Sequence, residues 1–152
     1  MTQNPVMKGE KIYEYDFDIT GVTDYGVSMD AILAGKETVP LQGARFDLAV
    51  NGRGKGRLSG RAHGVDYVRI RADGRIDLDL HVTIETDDGG RIALSADGLA
   101  APRNGEPILD IFANIRLSTA SNEYAWVNAR QIWTVGTAIL ATGKIHVEAF
   151  MQ

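Results

Sequence analysis

The sequence predicts an all-β chain, a mostly antiparallel β-barrel closed on itself, with at most one or two short helical turns. Three observations carry this reading. Arg75 to Thr86 alternates polar and apolar, then stops at Asp87, Asp88, Gly89 and Gly90. Ile76, Leu78, Leu80, Val82 and Ile84 share one side, and Arg75, Asp77, Asp79, His81, Thr83 and Glu85 the other, the period-two signature of a strand followed by a turn. The same design recurs at Tyr13 to Ile19, at Phe46 to Val50 and at Leu109 to Leu117. Finally, no helical pattern is long enough to cover a sheet, so sheet must pack on sheet or roll up, and rolling up removes exposed edges.

In chain order, Tyr13 to Ile19 is the first strand, and Val27 to Ala34 allows a turn or two of helix ended by Gly35. Phe46, Leu48 and Val50 alternate before a stretch in which Arg53, Lys55, Arg57 and Arg61 interleave with Gly52, Gly54, Gly56 and Gly60. That stretch reads as a solvated, mobile hairpin, because a phosphate-binding glycine loop needs a helix behind it and none follows. Arg57 to His63 and Val65 to Arg71 are two extended segments split by Gly64. The long strand then turns into Arg91 to Ala96 as a hairpin. The breakers Gly98, Pro102, Asn104, Gly105 and Pro107 make Asp97 to Pro107 a loop. Leu109 to Ser118 alternates again, with Phe112 out of place on its polar face. Gln131 to Ile139 and Ile145 to Phe150 end the chain, for roughly eight to ten strands.

One domain is expected over residues 1–152, with the N-terminal 1–10 flexible; 44% hydrophobic content suffices for a core. Without cysteine, neither disulfides nor thiolate metal sites exist, and with no signal-peptide run or membrane-length apolar stretch a cytoplasmic protein is expected. A net charge of −4 argues against a nucleic-acid partner, whose binders cluster Lys and Arg. No membrane partner is expected either. Nicotinamide, flavin and serine-nucleophile motifs are absent, so no cofactor is expected.

Several motifs follow the order and spacing of one family: His63-Gly64-Val65-Asp66-Tyr67, Asp73-Gly74, Thr86-Asp87-Asp88-Gly89 and Tyr124-Ala125-Trp126-Val127-Asn128. Together they resemble a microbial family of small β-barrels of unknown function (DUF3237/UPF0311-like), over about Gly56 to Phe150. Two features depart from its pattern: Tyr67 stands where that family usually has tryptophan, and Asp110 to Ser118 matches poorly. The resemblance implies a barrel similar to those of allene oxide cyclase and dirigent proteins, which enclose small apolar molecules. It implies a hollow interior and no particular reaction.

Asp66, between Val65 and Tyr67 in an apolar-leaning strand, is the carboxylate expected to be buried. Burial raises a carboxyl pKa toward the range a general acid or base needs, unless the group merely accepts N–H bonds from the Gly64 turn. Asp79 and His81, two apart on one strand face, are read as groups that tune or relay its proton. With Asp77 and Glu85 they form a row of metal-ligand types, yet a closed site needs a partner from another element, so no metal is expected. Tyr67, Tyr124, Trp126 and Asn128 are candidate ligand-positioning residues, by their apolar bodies and polar tips. Trp126 could equally plug one barrel end. Arg116 is read as a ligand-carboxylate partner or as a structural ion pair with Asp66, Asp77 or Asp79.

The expected function is a small-molecule-binding barrel, either a cofactor-independent isomerase, cyclase or lyase acting by acid/base chemistry on a small apolar or aromatic compound, or a non-catalytic carrier of such a compound. A packed barrel working through its surface would lack a cavity of roughly 300 Å³. A homo-oligomer formed through outward apolar strands is expected, with Ile132, Val135 and Ile139 as candidates.

Overall fold

The structure, a computed structural model, describes residues 9–152. Eight strands form one closed antiparallel barrel: β1 (Glu10–Asp24), β2 (Ala44–Gly56), β3 (Gly60–Ile70), β4 (Ile76–Thr86), β5 (Arg91–Pro102), β6 (Ile108–Ser118), β7 (Ile132–Ile139) and β8 (Lys144–Met151). Each strand pairs with its neighbours in sequence, and β8 pairs back on β1. A five-residue helix, α1 (Met29–Leu33), follows β1, with Ser28 Oγ accepting from the Ala31 N–H at its start. A 3-10 segment, Asn122–Ala129, links β6 to β7. The flexible segment expected at 1–10 lies outside the described residues except for Gly9 and Glu10, and Glu10 already belongs to β1.

Alternation decides which side chains enter. On β4, Val82 and Ile84 are buried and Leu78 and Leu80 point inward, while Asp79 and His81 are exposed on the outer wall. The polar face of the long strand therefore meets solvent, not the interior. Pleating leaves no other choice once five apolar side chains fill the inside.

The glycine-rich basic stretch forms the end of the β2–β3 hairpin, turning at residues 57–59, with its glycines inside the strand ladders. Gly52, Gly54 and Gly56 continue the inner face of β2 after Val50, and their partners on β1 are Phe17, Tyr15 and Tyr13 in turn. A Cβ on Gly54 would collide with the Tyr15 ring, and one on Gly52 would lie 2.7 Å from the ring of Phe17. Glycine is required at 52 and 54 because the Tyr15 and Phe17 rings, stacked at 5.7 Å, lie over this part of the wall, and at 56 because the backbone takes a φ of 110° against the Ile12–Tyr13 main chain. The alternate residues Arg53 and Lys55 project outward.

Two further differences from the sequence reading concern breakers. Gly64 does not split β3, which runs unbroken from Gly60 to Ile70, since its missing side chain admits the His81–Val82 backbone. Similarly, β5 continues through Gly98 to Pro102, because Gly98 sits against the Phe112–Ala113 backbone of β6. Glycine here marks close approach of strands rather than chain reversal.

Both barrel ends are closed. Val127, 1% exposed, drops from the 3-10 segment into the core that contains Tyr13, Tyr15, Leu94 and Ile115. At the opposite end Met29, Ile32 and Leu33 of α1 pack over a second cluster around Phe46, Val68 and Ile70.

Candidate functional site

Asp66 is the acidic side chain that lines the barrel interior among the described residues. Two apolar chambers of about 70 and 60 Å³ occupy the axis. Asp66, Leu78, Ile111 and Ile145 line both, so the carboxyl stands at their junction and the three aliphatic side chains form the partition. Each chamber is below the roughly 300 Å³ of an ordinary ligand site. The interior is thus narrow, and neither chamber reaches the size expected to set a ligand-binding barrel apart from a packed one.

The β3–β4 ladder is interrupted beside this carboxyl. β3 and β4 pair at Asp66–Leu80 and at Arg69–Asp77, with no ladder pairs at Tyr67 and Val68 between them. There the backbone N–H of Asp79 donates to Asp66 Oδ1 at 3.1 Å. Burial dominates the acidity and pushes the Asp66 pKa from 3.8 up to about 6, with the negative charge of Asp79 adding to the rise; the Asp79 N–H and the His81 imidazole oppose it. The partner of Asp66 is therefore the β4 backbone, not the Gly64 turn.

On the outer surface beside the same ladder break, His81 Nε2 lies 2.9 Å from Asp79 Oδ1, and the Tyr67 ring meets the His81 ring edge-on at 5.8 Å. Arg45 covers the other side of Tyr67 at 5.2 Å. Asp66, Tyr67, Asp79 and His81 thus form one cluster that straddles the wall, with Asp66 inside and the others on its outer surface.

The remaining candidates lie elsewhere. Arg116 is exposed on the outer face of β6, and no ion pair joins it to Asp66, Asp77 or Asp79 among the described residues. The Tyr124 hydroxyl lies 2.7 Å from both carboxylate oxygens of Asp88, which Thr86 Oγ1 also approaches at 2.6 Å. These bonds hold the Asp88 carboxyl below its ordinary value and raise Tyr124 above its own. Trp126 stacks under the Arg57 guanidinium at 3.8 Å. Asn128 clasps Thr119, accepting from its N–H and donating to its carbonyl, both at 2.8 Å. This block fastens the 3-10 segment to the barrel rim, and Val127 rather than Trp126 enters as the plug.

Two interior polar residues escaped the sequence reading. Thr134 of β7 is 5% exposed and its Oγ1 has no hydrogen-bond partner among the described residues. Tyr13 of β1, 3% exposed, lines the same chamber. Burial pushes the Tyr13 phenol up to about 12, and the nearby Thr134 hydroxyl pulls slightly the other way, although the pair stops short of hydrogen-bond geometry. Tyr15 is unlike Tyr13 in being satisfied, since its hydroxyl donates to the Leu58 carbonyl at 2.7 Å.

One described cluster has metal-ligand types. Glu14, His146 and Glu148 bring ligand atoms within 4.8 Å of one another on the β1–β8 surface. Lys11 Nζ already bridges the two carboxylates at 3.1 and 2.8 Å, so a divalent ion would have to displace an ammonium. A groove of about 770 Å³ runs outside α1 and the β5–β6 loop, sharing Leu33, Leu109 and Leu140 with the smaller chamber. No described helix is long and apolar enough to cross a membrane.

With this geometry, the class is a small antiparallel β-barrel with a carboxyl in a narrow apolar interior. The chain belongs to the family described as Protein of unknown function (DUF3237), whose pattern matches residues 27–151. No curated protein matches it. A Clostridium acetobutylicum protein of unknown function is similar in structure, with a TM-score of 0.79 at 15% identity over 95% of this chain and 99% of that one. A β-barrel-like protein from Acinetobacter baumannii aligns with a TM-score of 0.75 at 20% identity, covering 99% of both chains. A protein described as an enzyme from Penicillium herquei aligns with a TM-score of 0.68 at 18% identity over 100% of both. These likenesses establish the fold alone.

Proposed function

We propose that the barrel binds a small, largely apolar molecule along its axis and moves a proton on it through Asp66, as a cofactor-independent isomerase, cyclase or lyase. The observation that carries this reading is the placement of the carboxyl: it stands at the junction of two apolar chambers, next to a gap in the strand ladder, held by a single backbone N–H. A carboxyl there works against stability, because its charged form is desolvated. The same desolvation supplies a group that takes and returns a proton near neutral pH.

Asp79 and His81 act from outside the wall as tuning groups, His81 favouring ionisation of Asp66 and Asp79 opposing it. The Penicillium herquei protein of this fold, described as an enzyme, supports a catalytic role over simple carriage. The chambers limit the guest's size: together they approach the about 150 Å³ cavity that accepts benzene, provided Leu78, Ile111 and Ile145 swing aside. Entry through the outer groove past Leu33, Leu109 and Leu140 fits the thin closure at the α1 end.

The test is titration with toluene and small cyclic ketones followed by ligand-observed NMR. Saturable binding that disappears in Ala113→Leu, which fills the larger chamber, supports the reading. Absence of saturable binding by the wild-type chain overturns it. We also propose self-association: Phe112, Val135 and Ile139 point outward, at 50%, 42% and 42% exposure, whereas Ile132 faces the core at 0%. A monomer by light scattering at working concentration would refute that.

A further inference from the structure

We infer that Tyr13 and Thr134 form an oxygen-anchoring point in the larger chamber, and that its guest is a neutral, one-ring compound carrying a carbonyl or hydroxyl oxygen. The inference rests on the proposed interior binding and narrows it to a ligand class.

The first observation is the Thr134 hydroxyl. Among the described residues it is buried without a partner, a state native interiors avoid and a guest atom can relieve. The second is strand order. Tyr13 pairs with Ala149 on β8, and Ala149 pairs with Thr134 on β7, so the two hydroxyl-bearing side chains flank one alanine on the inner wall. A single methyl between them leaves room above the wall for both to converge. Each hydroxyl has a proton to donate, and a carbonyl oxygen has two lone pairs to receive them.

The third observation is charge. Among the described residues, no Lys, Arg or His lines either chamber, and Asp66 supplies the one carboxylate there. A carboxylate or phosphate guest would meet a like charge with nothing to neutralise it. Arg116, the cation that sequence alone offered for such a guest, lies on the outer wall. A cationic amine could pair with Asp66 but would leave the two hydroxyls unserved. Size completes the description, since the merged chambers hold about one six-membered ring.

The experiment compares cyclohexanone, methylcyclohexane, cyclohexanecarboxylate and cyclohexylamine by NMR titration against the wild-type chain, Thr134→Val, Tyr13→Phe and the double variant. Cyclohexanone is expected to bind about tenfold more tightly than methylcyclohexane, as two hydrogen bonds allow, and the charged probes not at all. Thr134→Val keeps the side-chain shape, and together with Tyr13→Phe it should erase the ketone preference while leaving hydrocarbon binding intact. Equal binding of ketone and hydrocarbon by the wild type, a preference that survives the double variant, or tighter binding of the amine or the carboxylate overturns this inference while the interior site stands. If no probe binds, both readings fail.

Discussion

The Asp79 backbone N–H donates to Asp66 Oδ1 across a break in the β3–β4 ladder, so a main-chain group of the wall holds a carboxyl that faces the interior. This couples stability to pH with a definite sign. Asp66 binds its proton more tightly when folded, at about 6 against 3.8, so the unfolded chain releases that proton first as pH rises. The stability contributed at low pH falls between about pH 4 and pH 6, and about 3 kcal/mol is gone above that. Asp66→Asn keeps an acceptor for the Asp79 N–H and carries no charge. Urea unfolding should show it more stable than wild type at pH 8, with the gap closing toward pH 4.

Groups outside the wall should move the Asp66 titration in opposite directions. His81→Ala removes a positive influence and raises the midpoint, whereas Asp79→Asn removes a negative one and lowers it. Carboxyl-carbon NMR on the two variants checks the pair of signs; identical midpoints would mean that the outer cluster is electrically separate from Asp66.

Tyr15 lies directly across from Gly54, and its ring occupies the place a side chain there would need. Gly54→Ala forces that ring off a wall it shares with Tyr13 and Phe17. A loss of about 2–3 kcal/mol in chemical denaturation is expected.

The Tyr15 hydroxyl serves the buried Leu58 carbonyl, so Tyr15→Phe leaves that oxygen unpaired at a cost of about 1–2 kcal/mol. Thr134→Val has the opposite sign. It exchanges an unpaired buried hydroxyl for a methyl and should raise the melting temperature of the ligand-free chain.

Much of the barrel was legible because period two is a local property: β4 reads directly from Ile76 to Thr86, and the eight strands fall within the expected count. Which face of β4 turned inward was not legible, since that depends on closure by strands far along the chain. The glycine stretch carried a signal that breaker rules obscured. Gly52, Gly54 and Gly56 continue the inward register of Phe46, Leu48 and Val50, matching the alternating aromatics of β1. Of the site, Asp66 stood out by its apolar neighbours. Tyr13 and Thr134 are 121 positions apart and meet only because β8 closes the barrel between them. The Tyr124–Asn128 block stood out for its aromatics, but its bonds to Asp88 and Thr119 spend its polar tips on the rim.

If the barrel keeps a proton-exchanging carboxyl in its apolar interior, a carboxyl-carbon NMR titration of Asp66 in the folded wild-type chain reads it outright. A midpoint near 6 is the predicted result, and a midpoint at the ordinary aspartate value near 3.8 would contradict it.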